Sequence, residues 1–131
     1  MTILIVDDDN DDQALFQELL VKIQPNAHVD KAWFGDEAIE MLIKYAEKPD
    51  LILLDINMPR VDGRECLRMI REHQQLANLH VIVLSSSISP ADKAFFARLN
   101  APCLVKANDL SSVEQQLRDC LASCIAIKRL N

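Results

Sequence analysis

The stretch Leu51-Ile52-Leu53-Leu54-Asp55-Ile56-Asn57-Met58-Pro59 decides how the rest of the chain reads. Four large apolar residues open it without alternation, which is the pattern of a strand buried on both faces in a parallel sheet covered by helices. A carboxylate follows at once, and Pro59, Asp62 and Gly63 are turn formers that end the run. Asp55 is therefore expected at the carboxyl end of a central strand, where ligands bind in open α/β sheets. The plainer alternative is an aspartate that caps the next turn or keeps the loop wet, and the strand alone does not decide between the two.

Outward from this stretch the chain alternates strand and helix patterns. Thr2 to Val6 is a short β-branched and aliphatic run, followed by Asp7, Asp8, Asp9, Asp11 and Asp12 and then by Ala14, Leu15, Phe16, Leu19, Leu20 and Ile23 at helical spacing. Asp9, Asn10 or Asp11 can cap that helix, and Pro25 with Asn26 stops it. Val29 to Phe34 reads as the second strand, and Gly35-Asp36 opens a helix that runs to Tyr45-Ala46 before Pro49. A helix with Leu67, Met69 and Ile70 follows Gly63 and ends before Asn78, and His80 to Leu84 is another unbroken apolar strand.

Ser89-Pro90-Ala91-Asp92 supplies an N-cap, a proline at the first helical position and an early acid, and Asn100 suits a left-handed C-cap. Pro102 to Val105 is a last short strand that ends at Lys106. The final helix carries Leu110, Val113, Leu117, Leu121 and Cys124 on one face, with Ser111 and Glu114 spaced as a capping box or Asp109 as the cap. Lys128 and Arg129 suit its C-terminal end. Five strands alternating with five helices, with no repeat and no linker, predict a single α/β domain over residues 1–131 with a doubly wound parallel sheet.

Composition narrows the function. Half the residues are hydrophobic and only two are glycine, so the chain is globular rather than low-complexity or disordered. A net charge of −6 without any basic run argues against nucleic acid or an anionic membrane as direct partner. Met1-Thr2-Ile3 begins neither a signal peptide nor a membrane span, which predicts a cytoplasmic protein. Cys66, Cys103, Cys120 and Cys124 lack metal-ligand spacing and read as small apolar residues in a reducing compartment, and His28, His73 and His80 have no matching partners.

In a doubly wound sheet the carboxyl ends of neighbouring strands converge, which gathers Asp7-Asp8, Asp55, Ser85 and Lys106 at one rim. Helix capping needs one carboxylate, while Asp7 and Asp8 stand before the helix begins. Carboxylates at close range repel, and a divalent cation with oxygen ligands, Mg²⁺ above all, resolves the repulsion. A carboxylate so held can attack a phosphoryl group and keep it as an acyl phosphate. The equatorial oxygens then want an ammonium and a hydroxyl, which Lys106 and Ser85 supply.

The chain resembles a response-regulator receiver domain of two-component signalling over nearly its whole length. The motifs are Ile5-Val6-Asp7-Asp8, Leu54-Asp55-Ile56-Asn57-Met58-Pro59, Asp62-Gly63, Leu84-Ser85-Ser86 and Val105-Lys106, in the family's order. The resemblance implies a flavodoxin-like sheet of strand order 2-1-3-4-5 and a phosphoacceptor at Asp55. It implies Mg²⁺ held by Asp7 and Asp8, directly or through water, by Asp55 and by the Asn57 backbone carbonyl. Ser85 matches the family's switch hydroxyl and Lys106 its phosphate-pairing lysine. The implied donor is a sensor histidine kinase or a histidine phosphotransfer protein. The longer acidic stretch through Asp12 is similar to stand-alone receivers that serve bacterial phytochrome-type kinases.

Two positions depart from the family: Ala107 stands where a proline usually follows the lysine, and Cys103 where an aromatic usually precedes it. A residue other than proline disfavours a cis bond, so a different path or greater mobility is expected for the Lys106 loop. Adjacent Phe95 and Phe96 sit about 100° apart on a helix, so one is expected at the surface. With Cys103 and the last helix it would form a dimer or partner face.

With no effector domain after the last helix, output is expected through protein contact. Two other readings fit part of the pattern. A haloacid-dehalogenase-type phosphatase also uses an aspartate nucleophile, but it wants an aspartate where Asn57 stands and a cap domain besides. A receiver-like module that acts without phosphorylation would fit Ala107 and Cys103, although it has no need of the full acidic set. A flavin protein is disfavoured by five aspartates where a phosphate loop would lie.

Overall fold

The computed structural model describes residues 1–106 and 109–130, with side chains as far as residue 125. In chain order the elements are β1 (Thr2–Val6), α1 (Asn10–Ile23), β2 (His28–Ala32), α2 (Gly35–Lys44), β3 (Leu51–Asp55), α3 (Gly63–Glu72), β4 (Val81–Ser85), α4 (Pro90–Arg98), β5 (Cys103–Val105) and α5 (Leu110–Leu130). The strands form one parallel sheet in the order β2-β1-β3-β4-β5. This is the doubly wound α/β architecture that the alternating pattern and the resemblance imply.

The unalternating strands are explained by a core on each face. Alternate residues of one strand go to opposite sides because side chains repeat every two residues along it. Ile52 and Leu54 pack with Leu4, Leu42, Leu67, Ile70 and Phe96, under α2, α3 and α4. Leu51 and Leu53 pack with Ile5, Phe16, Leu20, Leu117 and Leu121, under α1 and α5. Every residue of β3 is buried, and each large apolar side chain so placed stabilises the fold by about 1.5 to 3 kcal/mol relative to exposure.

The helix starts follow the capping chemistry in the sequence. Asp9 caps α1, accepting from the N–H groups of Asp11 and Asp12. Asp62 caps α3 through the Glu65 N–H, and Ser89 caps α4 through the Asp92 N–H with Pro90 next in line. Asn100 has φ 53, the left-handed conformation expected at the end of α4. Asp109, rather than Ser111, holds the start of α5, with its carboxylate accepting from the Ser111 N–H.

Several boundaries differ from those read in the sequence, each for a local reason. β2 stops at Ala32 because the Trp33 N–H is taken by the Glu37 carboxylate and Phe34 caps α2. α2 stops at Lys44: Lys48 Nζ donates to the carbonyls of Ile43 and Tyr45, which closes the helix end before Ala46. β4 is displaced by one residue, to Val81–Ser85, since the ladder with β3 starts at Val81. β5 starts at Cys103, because Pro102 has no N–H to give to a ladder.

Two side-chain expectations are also corrected. Leu110 is 52% exposed, standing in the first turn of α5 off its buried face. Phe96 is buried and Phe95 is half-buried on the same core, their rings edge to face at 5.6 Å, so neither is an exposed aromatic. Ala107 lies outside the described residues, as do the side chains of Lys128 and Arg129. Among the described residues no helix is long and apolar enough to cross a membrane.

Candidate functional site

Strand register places the site. Val6 lies opposite Leu54, so the next residue of each strand, Asp7 and Asp55, come out side by side. Asp55 in turn lies opposite Leu84, and Ser85 opposite Val105, which brings Ser85 and then Lys106 to the same edge. The Lys106 N–H donates to the Ser85 carbonyl at 2.7 Å and the Ile56 N–H to the Leu84 carbonyl at 3.1 Å. Backbone pairing thus fixes four strand ends before any side chain is considered.

Asp7, Asp8 and Asp55 each offer a carboxylate oxygen, and these oxygens lie within 4.8 Å of one another. Asp7 and Asp55 are buried and Asp8 is exposed, which leaves the cluster open on one side. Burial raises the pKa of Asp7 to about 6, with the neighbouring Asp55 charge adding to it and the Asp9 N–H and Lys106 opposing. Burial raises Asp55 likewise, and Lys106 with the Asn57 backbone N–H draws it back. An oxygen-only donor set of three carboxylates around one point fits a hard divalent cation such as Mg²⁺. Asn57, two residues after Asp55, is exposed between buried Ile56 and Met58.

Lys106 Nζ meets three carboxylates, at 2.8 Å from Asp12, 3.1 Å from Asp7 and 3.4 Å from Asp55. Burial works against its ammonium, and the carboxylates of Asp12, Asp55 and Asp7 outweigh it, so its pKa is raised. The lysine is a fixed positive charge across the mouth of the cluster. Ser85 is buried, and its hydroxyl donates to the Ser87 carbonyl while accepting the Ser87 N–H at 3.2 Å. It is thus near the site by register but turned into its own loop.

Two residues at this rim were not singled out from the sequence. Asp12, read there only as the end of the acidic stretch, is the nearest partner of the Lys106 ammonium. Gln13 is buried and its amide donates to the carbonyls of Ile5, Asp7 and Ala32, which locks α1 onto the ends of β1 and β2. Its spacing with Phe16 and Leu20 put it on the inner face of α1, and that was the available signal.

The loop from Asp55 to Gly63 is held from two sides. A Cβ on Gly63 would meet the Ile56 Cα at 2.3 Å and the Asp55 carbonyl oxygen at 2.4 Å, so only glycine lets α3 start this close to the strand end. Arg60, at φ 63, lays its guanidinium 4.3 Å from the centre of the Phe34 ring and pairs with Asp36 at 2.9 Å.

A five-stranded parallel sheet with an aspartate triad and a lysine at its carboxyl edge defines a phosphoryl-switch class of protein. The family model for the response regulator receiver domain matches residues 3–118, and the chain belongs to that family. Response regulator Rcp1 of Synechocystis sp. is 32% identical over 117 residues, covering 85% of this chain and 80% of that one. Among solved structures, the phosphorylated cyanobacterial phytochrome response regulator RcpA superimposes with a TM-score of 0.81 at 35% identity, covering 90% of this chain and 89% of that one. The Mn(2+)-bound form of Rcp1 does so with 0.79 at 30% identity, with the same two coverages.

The chain is therefore a receiver domain of two-component signalling, a system that works through phosphorylation. Some relatives are enzymes over their full length: a protein-glutamate methylesterase of Vibrio cholerae is 38% identical over 86 residues, which are 22% of that protein.

Proposed function

We propose that Asp55 accepts a phosphoryl group from a histidine kinase or a histidine phosphotransfer protein and that the acyl phosphate changes the protein contacts of this domain. The observation that carries the reading is the triad Asp7, Asp8 and Asp55 with a lysine ammonium bonded to two of its members. One carboxylate oxygen of Asp55 forms the new P–O bond as the P–N bond of the donor breaks. Asp7, Asp8, Asp55 and the Asn57 carbonyl would hold Mg²⁺, which neutralises negative charge on the transferring group. Lys106, already charged and pointed at the cluster, pairs with an oxygen of the bound phosphoryl group. Ser85 donates to another once its hydroxyl leaves the Ser87 carbonyl.

In this reading the domain is a switch, not an enzyme, for it turns over no free metabolite. A phytochrome-type kinase as donor is supported by the relatives named phytochrome response regulators. Output through α4, β5 and α5, to a second copy or another protein, is supported by the exposed apolar side chains of Val105 and Leu110. A cytoplasmic setting suits four free thiols.

Trp33, the single tryptophan, gives an optical test, because its indole N–H donates to Asn10 Oδ1 at 2.7 Å beside the acidic turn. Acetyl phosphate should change its fluorescence only when Mg²⁺ is present. Asp55→Asn should respond to Mg²⁺ but not to acetyl phosphate. An equal response of both proteins to acetyl phosphate would count against Asp55 as the acceptor.

A further inference from the structure

At the opposite edge of the sheet from the acidic rim lies a cavity of about 800 Å³, walled by the α3–β4 connection, α4, the start of β5 and α5. Its volume falls in the range of small-ligand sites, about 300 to 1,000 Å³. Its charge is unlike the rest of the molecule. The chain carries a net charge of −6, yet among the described residues no aspartate or glutamate lines this cavity, while Arg71, Lys93, Arg98 and His80 do.

The cations there lack the partners found elsewhere. Arg60, Arg64, Arg68 and Arg118 each pair with a carboxylate. Arg71, Lys93 and Arg98 pair with none among the described residues. Arg71 is the most telling, since its guanidinium is half-buried and bonds only backbone carbonyls, those of Ala77, Leu79, Leu99 and Asn100. Those bonds fix the wall in place, and no carboxylate among the described residues pairs with the Arg71 charge. Asp92, the acid on α4 beside Lys93, is held away in a two-pronged pair with Arg64 at 2.7 and 2.6 Å. Between the cations the accessible wall is apolar, with Leu79, Leu99, Pro102 and Cys103.

From this charge and shape we infer that the cavity binds a small organic anion, one sulfonate, carboxylate or phosphate group on an aromatic or aliphatic body. The anionic group meets Lys93, Arg98 and the Arg71 edge, and the body lies on the apolar wall. This is a second site, remote from Asp55 and independent of phosphorylation.

The probe is 8-anilinonaphthalene-1-sulfonate, titrated into the full chain and followed by its fluorescence. Saturable binding of one dye per chain is expected. Lys93→Glu with Arg98→Glu should weaken it at least about tenfold, and Asp55→Asn should leave it unchanged. Both replaced side chains are exposed, so the double variant is expected to melt as the wild type does; Lys93→Gln with Arg98→Gln replaces it if it does not. Cys103, in the cavity wall, reports the place of binding: saturating dye should slow its alkylation by iodoacetamide. Absence of saturable binding, equal binding by the charge-reversed variant, or an unchanged alkylation rate would each overturn the inference. So would equally tight binding of the uncharged N-phenyl-1-naphthylamine.

Discussion

Asp7 shows how one side chain carries both the cost and the use of the site. Its folded pKa of about 6 stands above the ordinary 3.8, so the folded state holds this proton more tightly than the unfolded chain. Its contribution to stability is then complete below the unfolded value and is lost as pH rises through about 6. Asp7→Asn should consequently stabilise the metal-free protein at pH 7 by about 1 to 2 kcal/mol in urea unfolding, while weakening Mg²⁺ binding. Protons and the cation compete for the same oxygens, so Mg²⁺ affinity read from Trp33 fluorescence should fall as pH is lowered from 7 to 5; a flat profile would contradict this.

Asp7, Asp55 and Lys106 were legible in the sequence because each directly ends a strand run. Asp12 was not, since its pairing joins a helix face to a lysine ninety-four positions on, and that distance closes only in the folded sheet.

At the level of elements, helix starts were the most legible feature, for a cap is a local bond between a side chain and a backbone N–H two or three residues away. Ser89→Ala should cost about 1 kcal/mol in chemical unfolding, as expected for a lost N-cap. Strand ends were less legible: Trp33 and Phe34 have strand propensity, but Glu37 claims the Trp33 N–H for the next helix. The expectation that one of Phe95 and Phe96 reaches the surface failed because helical geometry gives an angle and not the depth of the neighbouring wall, which here takes both rings.

Gly63 was read as a turn former, and its actual duty is closeness. Gly63→Ala should cost at least about 2 kcal/mol, as overpacking against backbone cannot be relieved by a rotamer change. Near-wild-type urea stability of that variant would mean that the loop moves freely.

Across the whole molecule, two apolar cores flank one sheet, and the repulsive acidic rim is the exception to an otherwise consistent pattern. Strand order and the gathering of Asp7, Asp8, Asp55, Ser85 and Lys106 at one edge followed from alternation and from the family motifs. The direction of the Ser85 hydroxyl did not, since a rotamer is set by the local loop. The cationic cavity did not either, for its residues are scattered from Leu51 to Cys124 with no motif among them. Because a cation bound only by the folded state stabilises it, Mg²⁺ at a hundred times its dissociation constant should add about 2.7 kcal/mol to the unfolding free energy. Asp8→Ala, which alters an exposed member of the cluster and leaves the core intact, should remove most of that gain.

The central claim is metal-dependent phosphorylation of Asp55, and intact mass after incubation with acetyl phosphate tests it most directly. With Mg²⁺ the wild type should gain the mass of one phosphoryl group, without Mg²⁺ little or none, and Asp55→Asn none under either condition. No adduct on the wild type, under conditions that modify a control receiver, or an adduct of equal yield on Asp55→Asn, would contradict it.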